Sequence, residues 1–179
     1  INVMEILVMK KIYLLFAFAL ILSSSLFAQR QGISLGGNVY FPVGDWAEVA
    51  AIGYGGSATY EHQMGRNLAG VIYAGYTVFD GDEEGTSWSM IPVLAGAKFY
   101  FSPKMDWYIA GLIGANFVTA ETTVLGVEGT ASSTEFAFSA NLGYELMLSE
   151  KGALDITGGF MYINDLSYFG LRLAYKFIL

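Results

Sequence analysis

From Phe169 to Leu179 every second residue is large and apolar (Phe169, Leu171, Leu173, Tyr175, Phe177, Leu179), and the residues between are mostly small or charged (Gly170, Arg172, Ala174, Lys176). A period of two is the mark of a β-strand with one oily and one polar face. The pattern recurs, with some slips, in seven earlier segments bounded by turn residues: Gly32 to Val43, Ile52 to Gln63, Leu68 to Phe79, Ser87 to Phe101, Trp107 to Thr119, Glu135 to Leu148 and Ala153 to Ile163. In the first, Ile33, Leu35, Val39 and Phe41 oppose Ser34, Gly36, Asn38 and Tyr40; in the fourth, Ile91, Val93 and Phe99 oppose Leu94, Lys98 and Tyr100. The third segment is apolar on both faces, so the pattern does not assign its inner side.

Eight such strands fit a closed antiparallel barrel, and the oily face can point either way. A soluble lipocalin-like barrel turns it inward; a transmembrane barrel turns it outward to lipid and tucks the charges inside. The mid-strand charges decide between them. Glu61, Lys98, Glu145, Asp155, Arg172 and Lys176 all fall on the small, polar face of their strands, three acids against three bases. The oily face carries none. The expectation is therefore an all-β, eight-stranded, up-and-down transmembrane barrel with these six forming a lumenal network, because paired charges offset the cost of desolvation. Each strand is long enough for the ~9–11 residues that a tilted membrane strand needs.

The connections sort the two ends. Met64 to Asn67, Ser102 to Asp106 and Ser149 to Gly152 are tight turns, whereas Gly44 to Ala51, Asp80 to Thr86 and Ala120 to Thr134 read as longer loops; Asn164 to Leu166 is short. The loop end carries ten acids and no base, among them Asp45, Glu48, Glu121, Glu128, Glu135 and Asp165, while the turn end carries Arg30, Arg66, Lys104 and Lys151 against Asp106 and Glu150. Aromatics gather near strand ends, Phe99, Phe101, Trp107, Tyr175 and Phe177 at one rim and Phe41, Trp88, Phe117 and Phe169 towards the other, as interfacial girdles require.

The N-terminus reads as an export signal. Lys10 and Lys11 precede an unbroken apolar run from Ile12 to Leu22, and small residues lead to a cleavage site after Ala28. Residues 1–28 are thus assigned to a signal peptide, with Met9 as initiator and 1–8 upstream of it, and 29–179 to the barrel. Composition agrees with a membrane wall: 54% hydrophobic, 16% aromatic and 14% charged residues leave little polar skin for a soluble domain. There is no cysteine, which excludes a disulfide framework. The acidic balance argues against a nucleic-acid partner.

Chemistry is sparse. His62 is the single histidine and sits at the short-turn end, where a hydrolase site acting on outer-leaflet lipid is misplaced; an interfacial or turn role is expected. Asp80, Asp82, Glu83 and Glu84 with Gly81 and Gly85 resemble a fragment of a calcium loop but lack its twelve-residue spacing, and a solvated acidic surface loop is expected. Neither cofactor nor metal is called for.

The export signal, the eight alternating strands, the alternation of short turns with longer loops and the aromatic-rich last strand resemble the small outer-membrane β-barrel family, the porin-family or OmpA/OmpX-like eight-stranded barrels. The resemblance covers residues 29 to 179. It implies an outer-membrane location in a Gram-negative bacterium with both termini periplasmic, and partners in outer-membrane lipid, lipopolysaccharide and the outer-membrane assembly machinery. It also implies an assembly signal at Tyr175, Phe177 and Leu179, where Leu179 stands in place of the usual terminal aromatic. The functional expectation is a non-enzymatic monomer with a plugged lumen that serves envelope integrity, its acidic loops available for adhesion. The alternatives are a narrow channel for ions or small solutes, and a lipid-binding or lipid-modifying barrel relying on His62.

Overall fold

The computed structural model describes residues 31–81, 86–102, 104, 106–124, 127–164 and 166–179, with backbone alone at 123, 124, 127 and 128. The signal segment 1–28, Arg30, Asp82, Glu83, Glu84 and Asp165 lie outside the described residues, and so do the expectations placed on them. The eight strands are β1 (Gln31–Val43), β2 (Ala50–Gln63), β3 (Leu68–Gly81), β4 (Thr86–Tyr100), β5 (Trp107–Val124), β6 (Val127–Ser149), β7 (Gly152–Ile163) and β8 (Leu166–Ile178). Each pairs antiparallel with its sequence neighbours, and β1 pairs with β8 from Gly32↔Ile178 to Val43↔Ser167, closing the barrel.

The inversion is plain in the exposures. Leu171 and Leu173 are 58% and 56% exposed, whereas Lys98, Glu61 and Asp155 are 3%, 3% and 1% exposed. A wall of bare leucine, isoleucine and phenylalanine is far larger than a soluble monomer presents to water, and it matches hydrocarbon instead. A closed sheet also has no free edge strand, which lipid demands. On β3, where alternation assigns no inner side, Ala69, Val71, Tyr73, Thr77 and Phe79 face inward and Leu68, Ile72 and Tyr76 outward.

The short turns are tied by local hydrogen bonds. Met64 and Gly65 N–H both donate to the Leu68 carbonyl at 2.8 and 3.1 Å, and the Gln63 amide donates to the Gly65 carbonyl at 2.8 Å. In the next turn the Ser102 hydroxyl donates to the Asp106 carboxylate, and Phe101 N–H reaches the Trp107 carbonyl at 3.2 Å.

Three readings of the loop end need correction. Ala120 to Thr134 is not a loop, because β5 and β6 stay paired from Ala120↔Ala131 to Val124↔Val127. Its threonine, serine and valine residues favour extended backbone, but residues 129–134 are exposed on both faces, so no oily alternation marks the strand there. Gly44 to Ala51 contains a 3-10 helix, Gly44–Glu48, entered through Gly44 at φ +65°, which turns Trp46 into the barrel so that it is 3% exposed. Trp88, expected in a girdle, packs partly buried against the interior cluster.

Candidate functional site

Among the described residues the interior is where this fold concentrates chemistry, and period-two alternation puts it there. At the short-turn half, Glu61 of β2, Lys98 and Tyr100 of β4, Glu145 of β6, Asp155 of β7, and Arg172 and Lys176 of β8 all point inward. Lys98 Nζ donates to Glu61 Oε1 at 2.5 Å, Glu145 Oε1 at 2.9 Å and Asp155 Oδ2 at 3.4 Å. Lys176 Nζ donates to Glu61 Oε2 at 2.6 Å and Glu145 Oε1 at 2.9 Å. Tyr100 OH donates to Glu145 Oε1 at 2.7 Å, and Tyr108 OH to Asp155 Oδ1 at 2.7 Å.

Arg172 stands slightly apart. Its Nε and Nη2 donate to the Ser57 and Ser34 hydroxyls, each at 2.9 Å, while Nη1 is 3.7 Å from Asp155 Oδ2. The six sequence-assigned charges are thus brought into one cluster, formally neutral, with tyrosine hydroxyls filling remaining acceptor positions. Buried ions repay their desolvation only when their hydrogen-bonding capacity is used this fully. Lys98 also lies 3.8 Å from the centre of the Tyr108 ring, whose π face favours a cation.

Glu61, Glu145 and Asp155 have carboxylate oxygens within 4.8 Å of one another, the spacing of a metal cage. The Lys98 ammonium already bonds all three, so the cage carries its cation on a side chain. His62, by contrast, lies at the short-turn end of β2, opposite Gln31 and Gly70. Its Nε2 has no hydrogen-bond partner among the described residues.

The loop-side half of the interior is aromatic. Trp46 packs on Phe79 and Tyr168 with ring centres 4.4 and 5.7 Å apart, and Tyr40 shares a hydroxyl hydrogen bond of 3.0 Å with Tyr73. Sequence reasoning misses this group. Alternation puts Tyr40 on the inner face, but Trp46 hides among turn residues, and the inward set of β3 carries no polar signal. Between the aromatic group and the charges lies a cavity of about 80 Å³. A second, of about 50 Å³, sits at the short-turn end against Gln31, Gln63, Lys104 and Lys176.

The remaining assigned residues lie on the outer surface. Asp80 is exposed near the end of β3. Tyr175 and Phe177 face outward with rings edge to face at 4.8 Å. Leu179 is exposed, and its N–H donates to the Gln31 carbonyl at 3.0 Å, beside the β1–β8 seam.

No protein-family model and no curated protein matches the chain. Among solved structures it is similar to Ail, the attachment invasion locus protein of Yersinia pestis, with TM-score 0.66 and 18% identity over 86% of this chain and 100% of that one. It is also similar to the outer membrane protein OprG of Pseudomonas aeruginosa, with TM-score 0.56 and 12% identity over 85% of this chain and 96% of that one. The N-terminal β-barrel domain of Pseudomonas aeruginosa OprF aligns with TM-score 0.53 and 15% identity over 84% of this chain and 97% of that domain. The chain therefore has the fold of the small eight-stranded outer-membrane β-barrels.

Proposed function

We propose that this chain is a non-enzymatic, monomeric protein of the outer membrane of a Gram-negative bacterium. Its lumen conducts nothing, and its loop-side face serves attachment. The observation that carries the reading is the arm formed by β5 and β6. β6 pairs with β7 only from Ala137↔Ile163 towards the short-turn end, so from Val127 to Phe136 its edge on that side has no strand partner among the described residues. An unpaired edge of about ten residues is a template on which a partner strand adds by main-chain hydrogen bonds. A protein that did not use such an edge would be expected to blunt it.

The similar barrel Ail is called an attachment invasion locus protein, which is consistent with this reading. Ail is also known in complex with the heparin analogue sucrose octasulfate, but here the loop end is acidic, so a polysulfated ligand is disfavoured and a basic or strand-donating protein is favoured. The closed-lumen part rests on the interior: a neutral ion cluster spans one half and stacked aromatics the other, in a barrel only wide enough for side chains.

The test replaces residues 119–132 by an Asn-Gly turn, which joins the register partners Val118 and Ser133 and removes the outer part of the arm. The shortened barrel is expected to refold with unchanged heat-modifiable gel migration and to lose attachment of cells displaying it to host-cell surfaces; retained attachment overturns the proposal. Planar-bilayer recordings of the intact protein are expected to show no resolvable steps. Clear conductance would shift the reading to a narrow channel for ions or small solutes.

A further inference from the structure

The cavity of about 80 Å³ at mid-barrel is not lined as a plain packing gap. Asn38 and Arg172 are register partners on β1 and β8, and both line it. Asn38 Oδ1 accepts from the Ser57 hydroxyl at 3.1 Å, but its Nδ2 has no partner among the described residues, although Asn38 is 4% exposed. Arg172 Nη1 has only the 3.7 Å approach to Asp155, beyond hydrogen-bond reach. Asp155 is meanwhile served by Tyr108 and Thr157 at 2.7 Å each. Two neighbouring residues of the lining thus each carry a donor with no acceptor within hydrogen-bond reach among the described residues, and Tyr168, another lining residue, has a hydroxyl without a partner there too.

Across the barrel, β4 and β5 line it with Leu94, Ala110 and Leu112, and Ser139 and Asn141 of β6 adjoin them, while Glu61 and Asp155 lie at the ion-cluster end, each bonded by Lys98. Water alone meets the polar positions and leaves Leu94 and Leu112 without an apolar partner, whereas a ligand with one polar and one apolar end serves both. A phosphate brings more acceptor oxygens than the donors serve. We propose that the cavity binds a small monocarboxylate with a short apolar body, its carboxylate on Arg172 Nη1 and Asn38 Nδ2 and its tail against Leu94 and Leu112. One water takes roughly 10–15 Å³ on this scale, so there is room for about six water-sized groups, the size of butyrate. This site does not depend on the attachment reading.

The test titrates sodium butyrate into the chain refolded in detergent micelles, followed by carbon-13 resonance of the ligand and indole emission. Saturable one-site binding is expected, with n-butanol weaker by about tenfold or more, the scale of one lost charge-assisted hydrogen bond. Asn38→Asp places a carboxylate beside Arg172 and is expected to weaken butyrate by a similar factor. Leu112→Phe shortens the apolar end, and is expected to exclude butyrate while sparing acetate. Absence of saturation, equal binding of butanol, or butyrate binding unchanged in both variants overturns the proposal.

Discussion

Lys98 on β4 and Glu61 on β2 meet across the interior at 2.5 Å, Nζ to Oε1, although β3 stands between their strands in the wall. The contact ties strands that share no backbone ladder, and it does so where neither ion sees water. Removing one partner strands the other's charge. Lys98→Met, which leaves three carboxylates short of a counter-ion, is expected to cost about 3–5 kcal/mol. Urea unfolding of the refolded barrel measures it, and a loss below about 1 kcal/mol would show that water reaches the cluster.

Trp46 is buried in the barrel mouth, its ring tilted against Phe79 with centres 4.4 Å apart. Trp46→Ala is expected to cost about 3 kcal/mol, as for other buried aromatic truncations. It should also speed exchange of the Tyr40 and Tyr168 hydroxyl protons. An unchanged unfolding midpoint would mean that the 3-10 helix is not seated in solution.

Gly143 leaves room for a ring. A Cβ there would collide with Cζ of Tyr108, the residue that bonds Asp155 and lies under Lys98. Gly143→Val is therefore expected to destabilise by about 1–3 kcal/mol through overpacking. Gly129→Val, whose Cβ would meet nothing closer than 3.8 Å, is expected to stay within about 0.5 kcal/mol of the parent. Equal effects would refute the assignment.

Leu171 probes the lipid face at mid-strand. Leu171→Arg is expected to cost about 2–4 kcal/mol if the site lies near the bilayer centre, whereas Ser133→Arg on the exposed arm is expected to be nearly neutral. Reversal of that order would mean the wall does not face hydrocarbon.

Asp106, in the turn between β4 and β5, accepts from the Ser102 hydroxyl and from the Trp107 N–H, while its own N–H donates to Ser102 Oγ; the Ser102 bond above all holds its carboxyl below the usual range. A lowered pKa gives stability that is present above the unfolded value and is lost as pH falls through the folded one. Ser102→Ala is expected to raise the Asp106 pKa towards the ordinary aspartate value, readable by a carboxyl NMR titration. No change would remove the serine from this role.

The strands are legible because lipid and lumen impose opposite demands on alternate residues; Leu171 and Arg172 could not exchange places. The lumenal charges are legible for the same reason. Where both sides of a strand meet like surroundings, the signal vanishes. Residues 129–134 are exposed on both faces and read as a loop, and Leu68 to Phe79 is apolar on both, which leaves Tyr73 and Phe79 unassigned. Trp46 escapes because its burial depends on the path of a short helix, and Asn38 because its importance lies in a partner it lacks.

The seam between β1 and β8 joins the two ends of the described chain through twelve register pairs, Gly32↔Ile178 to Val43↔Ser167. Until β8 arrives, β1 and β7 each keep a row of bare amides that hydrocarbon cannot solvate. A ribosome product halted before Leu166 thus has no stable intermediate form in a bilayer. Insertion and ring completion must be one event, and damaged or unfinished copies are left in the aqueous compartment, within reach of proteases.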